Sequence, residues 1–182
     1  MKIKTLHDAL VHDLQDLYSA EVQLTKALPK MAKASSHQEL TAAFQDHLEQ
    51  TKGHVERLEK ALKQLEASTR GEKCKAMEGL LEEGKETVDE DAEPHVKDAA
   101  LIAAAQRVEH YEITAYGSLM AWAKLLGYQD ALKLLKANEQ EEKAADAKLS
   151  KLAESTVNQQ AASAGADAED DQQTSSRSKG MA

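Results

Sequence analysis

The chain has 182 residues, of which 32 are acidic and 23 are basic, so its formal net charge is −9. Phosphate contacts need a positively charged face, and the sequence holds no basic block, which argues against direct nucleic-acid binding. A single cysteine excludes an intramolecular disulfide and fits a reducing compartment. No signal peptide is visible, and no apolar run approaches the roughly 20 residues of a membrane-spanning helix. We therefore expect a soluble cytoplasmic protein with no membrane partner.

The composition favours helices over strands. Aromatic residues make up 3% of the chain and there are two prolines, whereas Ala, Leu, Lys, Glu and Gln dominate. These abundant residues are good helix formers, and few strand formers are present. A chain of this length can bury one sizeable core. The expected fold class is all-α.

Local signals mark the first two helices. Thr5 and Asp8 predict a capping box at the start of the first helix, in which the side chain of each residue accepts a hydrogen bond from the backbone N–H of the other residue. Leucines then recur at helical spacing as far as Met31. Ser36 and Glu39 predict a second capping box, which begins another long apolar pattern. Because only a few residues join these two helices, we expect them to be antiparallel.

A long connection separates this pair from a second pair of helices. Residues 73–90 predict a shorter amphipathic helix inside a connection of about 30 residues, long enough to cross a bundle. The third long helix is expected over residues 95–126, with Gly127 as its C-terminal cap, and the fourth over residues 129–156. The order of short loop, long crossover and short loop predicts a ferritin-like four-helix bundle with a short fifth helix in the crossover.

The composition changes near the C-terminus. From Asn158 onward the residues are mostly Gln, Ala, Ser, Asp and Gly, with almost no large apolar side chains. Such a segment has too little apolar surface to offset the entropy of ordering it. We expect a bundle domain over residues 1–157 and a disordered polar tail over residues 158–182.

Three acids lie where an apolar stripe is expected. At about 100° per residue, Glu21, Glu112 and Glu142 fall close to the inner lines of the first, third and fourth long helices. All three lie near the helix midpoints, so antiparallel packing brings them to one depth. Burying an unpaired carboxylate costs several kcal/mol. Since carboxylates and imidazoles are metal ligands, a metal cluster in the bundle core is the hypothesis.

Further side chains complete the candidate ligand set. Glu109 precedes the acid of the third helix by one turn but lies roughly 90° from the inner line, and Asp146 flanks the acid of the fourth helix. On the second helix, His47 and His54 both lie at the edge of the stripe, and the sequence leaves open which of them is the ligand. The candidate metal ligands are Glu21, His54, Glu109, Glu112, Glu142 and Asp146. Two neighbours are expected elsewhere, Tyr116 in rim packing and Glu141 on a solvated face.

Several stretches are distinctive enough to suggest a family. The motif Asp-Leu-Tyr-Ser-Ala-Glu ends at Glu21, and residues 47–54 read His-Leu-Glu-Gln-Thr-Lys-Gly-His. With residues 1–6, 74–80, 98–106, 108–113 and 141–149, these motifs resemble the YciE/YciF family of bacterial stress-associated, ferritin-like proteins. The resemblance covers about residues 1–156. It implies a ferritin-like bundle that is often dimeric and has no settled biochemical activity.

The resemblance also implies which positions hold metal. The wider superfamily uses a Glu on one helix of each pair and Glu-x-x-His on the other, and holds two metals between them. Glu21 and Glu112 match the lone acids. However, residues 51–54 read Thr-x-x-His and residues 142–145 read Glu-x-x-Ala, so half of each motif is missing. The resemblance therefore implies a reduced site that holds one metal or an asymmetric pair.

Two classes of function remain open from the sequence. One is a metal-binding stress protein that holds iron or manganese and reacts with peroxide or oxygen. The alternative is a homodimeric structural or interaction protein whose metal site is vestigial and which catalyses nothing. Iron storage is a weaker third reading because nothing in the sequence specifies a cage.

Overall fold

Five α-helices make up most of residues 3–164, the part of the chain that the computed structural model describes. The helices are α1 (Leu6–Ala34), α2 (Gln38–Gln64), α3 (Lys75–Asp89), α4 (Pro94–Leu126) and α5 (Gln129–Leu152). No strand occurs within residues 3–164, so the all-α prediction is confirmed. None of the described helices is both long and apolar enough to cross a membrane.

Two of the predicted helix ends are confirmed. At the start of α1, Thr5 Oγ1 accepts from the Asp8 backbone N–H at 3.0 Å, and Asp8 Oδ2 accepts from the Thr5 N–H at 3.0 Å. At the end of α4, Gly127 has φ 82°, the left-handed conformation that glycine adopts without a Cβ penalty. Both signals are local in sequence, which is why the sequence alone predicts them.

The predicted capping box of Ser36 and Glu39 is wrong. The N-cap of α2 is His37, which makes no side-chain capping bond. Instead, the carboxylate of Asp98 on α4 accepts from the backbone N–H groups of Ser36 and His37 at 2.8 and 2.9 Å, and from Ser36 Oγ at 2.5 Å. Asp98 is buried, so this acid links the α1–α2 connection to α4.

The four long helices pack side by side. α1 packs against α2 and α4, α5 packs against the same two helices, and α3 contacts α1 and α4. Leucines at the predicted spacing form the core of α1, and the most buried are Leu10, Leu14, Leu17 and Leu24. Because burial of apolar area is the main stabilising term, this packing determines the level at which the helix midpoints meet.

The helical unit extends beyond the boundary predicted at residue 157. After α5, a π-helical turn covers Ala153–Val157, and helix then continues to residue 164. Val157 is 1% exposed, so this turn packs on the core. The Gln and Ala residues that follow are compatible with helix even though they add little apolar surface. The rest of the predicted polar tail, residues 165–182, lies outside the described residues.

Candidate metal centre

Six ionisable side chains, which we call the cluster, meet midway along the four long helices. They are Glu21 on α1, His47 and His54 on α2, Glu109 and Glu112 on α4, and Glu142 on α5. None is more than 5% exposed. Their positions follow from the helical repeat: Glu21, for example, lies between Leu17 and Leu24 on the buried face of α1. The apolar packing of each helix therefore carries these polar groups into the interior.

The cluster divides into two groups that share Glu142. The four-residue group is His47, Glu109, Glu112 and Glu142, and the three-residue group is Glu21, His54 and Glu142. Within each group, one candidate ligand atom per residue lies within 4.8 Å of the others. Glu142 Oε1 lies 2.7 Å from His54 Nδ1, whereas Glu142 Oε2 lies 3.5 Å from His47 Nε2. The two oxygens of Glu142 therefore face different groups, which suits a ligand shared between two metal ions.

Most of the polar atoms that face the interior of the cluster form no hydrogen bond. Within residues 3–164, eleven buried side-chain nitrogen and oxygen atoms lack a hydrogen-bond partner, and eight of them belong to the cluster. They are Glu21 Oε2, His47 Nε2, His54 Nδ1, Glu109 Oε2 and both carboxylate oxygens of Glu112 and Glu142. Two of these atoms, His54 Nδ1 and Glu142 Oε1, form an ion pair at 2.7 Å without hydrogen-bond geometry. A buried polar atom left unpaired costs about 1–3 kcal/mol, and more where the group is charged. Carboxylate oxygens and imidazole nitrogens arranged in this way fit a divalent cation.

Burial and mutual repulsion dominate the electrostatics of the cluster. Burial raises the pKa of Glu112, and the carboxylates of Glu21 and Glu142 raise it further. The pKa values of Glu109 and Glu142 are also raised, again mainly by burial. Burial lowers the pKa of His54, but the carboxylates of Glu142 and Glu21 outweigh this and raise it to about 10. The side chains by themselves therefore retain protons, which a bound cation would displace.

Hydrogen bonds from outside the cluster orient both histidine rings. His54 Nε2 lies 2.9 Å from Glu141 Oε2, and Arg57 also donates to Glu141. This bond leaves His54 Nδ1 facing the three-residue group. His47 Nδ1 lies 3.2 Å from Gln50 Oε1, which leaves His47 Nε2 facing the four-residue group. A hydrogen bond to the far ring nitrogen is typical of metal-binding histidines because it fixes the tautomer and the ring orientation.

A second hydrogen-bonded network closes the three-residue group. Tyr116 is fully buried, and its hydroxyl donates to Glu21 while it accepts from Asn138 Nδ2 at 2.8 Å. Asn138 is also fully buried and accepts from Arg57. Glu21 and His54 are 0% exposed. This end of the cluster is therefore sealed from solvent by side chains that are themselves paired.

Sequence similarity joins the chain to a known family. Residues 5–162 match the family described as Domain of unknown function (DUF892). YciF of Escherichia coli strain K12 is 49% identical over 162 residues, which make up 88% of this chain and 98% of YciF. The chain belongs to the YciE/YciF family. The resemblance seen in the sequence motifs is thereby confirmed.

Three solved structures share the fold of this chain. The crystal structure of the E. coli stress protein YciF has 50% identity and a TM-score of 0.83, covering 86% of this chain and 99% of YciF. YcfI from Rhodopseudomonas palustris, proposed to be a structural protein, has 46% identity and a TM-score of 0.79, covering 82% and 95%. A protein of Xanthomonas campestris pv. campestris, at 20% identity and a TM-score of 0.67, shares the fold over 84% of this chain and 94% of its own.

In this member of the YciE/YciF family, the structure brings together five of the six candidate ligands. These five are Glu21, His54, Glu109, Glu112 and Glu142. The sequence left open which of His47 and His54 is the ligand, and the structure places both in the cluster. The two histidines are about two helical turns apart and so share one face of α2. Each belongs to a different group.

The structure departs from the estimated helical phase at two positions. Glu109 was expected about 90° from the inner line, yet it is 2% exposed and its Oε1 lies 3.3 Å from His47 Nε2. The reason is that α4 is covered by α1, α3 and α5, so it is buried over a wide arc. Asp146 lies outside the cluster, where it accepts from Gln106 Nε2 at 2.9 Å. Its side chain is 23% exposed.

Two further residues support the cluster. Tyr116 was expected in rim packing, which is wrong, because it is a fully buried partner of Glu21. Glu141 is 34% exposed, and it also accepts hydrogen bonds from His54 and Arg57, which the sequence did not predict. Neither contact has a local signal, because each joins residues from different helices. A local hint existed for Tyr116, which lies four residues after Glu112 and so shares its side of α4.

Proposed function

We propose that this chain is a ferritin-like stress protein that holds a pair of iron or manganese ions in the cluster. In this proposal α1, α2, α4 and α5 form the four-helix bundle, and α3 lies in the crossover. The observation that carries it is the set of eight buried ligand atoms that have no hydrogen-bond partner among the described residues. Unpaired polar atoms are rare in protein interiors, so eight at one level need a common explanation.

The donor set supports two divalent cations. Glu21, Glu109, Glu112 and Glu142 carry four negative charges when ionised, which two divalent cations balance. Each group also offers one imidazole nitrogen, from His47 in one and His54 in the other. Oxygen-rich sites with imidazole suit iron and manganese, whereas the soft thiolates that select copper or zinc are absent from both groups.

The chemistry follows from such a pair. Bound iron or manganese supplies electron transfer to peroxide or oxygen. The chain's own residues hold the ions, orient the two imidazoles through Glu141 and Gln50, and keep water from the three-residue group. YciF is described as a stress protein, and its 49% identity supports the same setting for this chain.

We also propose that the protein is a cytoplasmic homodimer that binds neither nucleic acid nor a membrane. The net charge of −9 supports the exclusion of nucleic acid. A monomeric mass by light scattering at micromolar concentration would contradict the dimer.

Metal analysis tests the central proposal. Protein produced in medium supplemented with iron and manganese should contain about two of these ions per chain. A metal that binds only the folded protein at 100 times its Kd stabilises it by about 2.7 kcal/mol. At roughly 2–4 °C per kcal/mol for a chain of this size, chelation should lower the Tm by about 5–10 °C. A full-length protein without bound metal whose Tm ignores both chelator and added metal would contradict the proposal.

A structural role is the second candidate, and two observations favour it. Half of each Glu-x-x-His motif is missing, and YcfI of Rhodopseudomonas palustris is proposed to be a structural protein. The same experiment separates the two candidates, because a scaffold with a vestigial site has no reason to respond to metal. The four buried carboxylates argue against it, since a scaffold gains nothing from burying them.

A further inference from the structure

A cavity of about 130 Å³ opens between α2 and α5 at one end of the cluster. Its walls include Ala43 and Phe44 from α2 and Ala145 from α5, and both His47 and Glu109 line it. These two residues are the cluster members with measurable exposure, at 5% and 2%. The cavity is therefore a place where the cluster approaches solvent.

The cavity reaches one of the two groups. His47 and Glu109 belong to the four-residue group, whereas Glu21 and His54 of the three-residue group do not line it. The three-residue group lies instead behind the paired side chains of Tyr116 and Asn138. Two metal positions built this way are unequal, since one has a route to solvent and the other is closed.

The size and lining of the cavity restrict what it admits. An engineered protein cavity of roughly 150 Å³ binds benzene, and this space is smaller at about 130 Å³, so it suits small molecules. Sites for drug-sized ligands are larger, at roughly 300–1,000 Å³. Charges at the mouth are already paired, because Lys148 donates to Asp46 at 3.0 Å. The walls beyond this pair are largely methyl and phenyl groups.

Ala145 is one of three alanines that line the cavity, with Ala43 and Ala144. It lies three residues after Glu142, at the position where the superfamily motif carries its histidine, and it is half-buried. A larger side chain here would extend towards His47 and Glu109. The missing half of the motif thus coincides with an opening beside the four-residue group.

We propose that this cavity is the entrance by which a molecule smaller than benzene, of the class of hydrogen peroxide, reaches the metal held by the four-residue group. Ala145 sets the size limit. This inference rests on the proposed metal-binding function and identifies its substrate class. The metal at the three-residue group is not reached by this route.

Nitric oxide, a neutral diatomic ligand of ferrous iron, tests the entrance. In anaerobic, iron-loaded protein, we expect Ala145→Leu to retain the iron content of the parent but to form the nitrosyl adduct at least about tenfold more slowly. Ala147→Leu is the matched control, because Ala147 is exposed on the same helix. It should behave as the parent does. Equal adduct formation in Ala145→Leu and the parent would overturn the entrance, while the iron content reports separately on the proposed function.

A second measurement needs no variant and decides the matter if Ala145→Leu fails to fold or to bind iron. The ferrous parent protein is mixed with hydrogen peroxide or with the bulky cumene hydroperoxide, and oxidation of the iron is followed by absorbance. Each rate is divided by that of chelated ferrous iron in solution, which removes intrinsic reactivity. We expect hydrogen peroxide to be favoured by at least about tenfold. Equal normalised rates would overturn the size limit.

Discussion

Replacing Glu112 with Gln should have opposite effects on stability with and without metal. Glu112 is fully buried, neither of its oxygens has a hydrogen-bond partner, and burial together with Glu21 and Glu142 raises its pKa. Two full charges 4.8 Å apart repel by about 3.5 kcal/mol at an effective dielectric constant of about 20. Because burial and the neighbouring carboxylates raise the pKa of Glu112, its carboxyl keeps a proton to a higher pH than usual, which relieves part of this repulsion. Without metal, the variant should be more stable by about 1 kcal/mol.

With metal present, the same substitution removes a charged ligand from the four-residue group. Losing a partner that merely supports a ligand already weakens metal binding by about 10–100-fold, so the loss here should be at least as large. The stabilisation that metal gives the parent should therefore shrink in the variant.

Urea unfolding at pH 7, in EDTA and in saturating Mn²⁺, measures both effects on one protein. Glu49→Gln is the control, since the Glu49 side chain is 70% exposed and pairs with Lys52. It should change neither quantity. If Glu112→Gln were less stable than the parent in EDTA, the carboxylate would have a stabilising partner and the argument from repulsion would be wrong. If Mn²⁺ stabilised both proteins equally, Glu112 would not be a ligand.

Three other predictions follow from the same contacts. Glu141→Gln removes the charged acceptor that orients His54 and should weaken metal binding about 10–100-fold, whereas Glu139→Gln on the same helix should not; equal affinities by calorimetry would contradict this. Asp98→Asn should lower the free energy of unfolding by about 1–3 kcal/mol, because an amide keeps one acceptor oxygen and at least one of the three donors then loses its acceptor; an unchanged urea midpoint would contradict it. In EDTA, the advantage of Glu112→Gln over the parent should grow from pH 5 to pH 8. The pKa of Glu112 is raised in the folded state. The parent protein is therefore most stable at low pH, where Glu112 is protonated, and loses stability as the pH rises through the folded-state pKa. A constant difference across this range would show that Glu112 does not titrate there.

The sequence predicts the helices well because their causes are local. Apolar side chains at a spacing of 3.6 residues define each helix, and Thr5 and Gly127 satisfy backbone groups within a few residues of themselves. Asp98 shows where this reasoning stops. It caps a connection 62 residues earlier in the chain, so no local pattern relates it to Ser36. The capping box predicted for Ser36 was plausible locally but lost to this long-range contact.

The residues of the cluster also differ in whether the sequence alone could predict them. Glu21, Glu112 and Glu142 could be predicted because an acid on a leucine stripe is costly wherever the helix packs. Glu109 could not be placed by phase, since the buried arc of a helix depends on how many neighbours cover it. The contact that Glu141 makes depends on which residue of α2 lies opposite it, and helix packing decides this. The sequence therefore predicts which charges enter the core, whereas the structure is needed to show what they meet there.

The distribution of ligands over the helices explains why the two groups differ. In the superfamily pattern, each of two helices supplies one histidine. Here α2 supplies both, His47 and His54, and α5 supplies Glu142 alone. Where that pattern would place a histidine on α5, this chain has the methyl group of Ala145, and the cavity beside His47 lies at that point. The departure from the pattern and the opening beside the four-residue group therefore coincide. A histidine restored by Ala145→His would therefore add a donor while closing the route to the four-residue group, so tighter metal binding should come with slower access of small molecules.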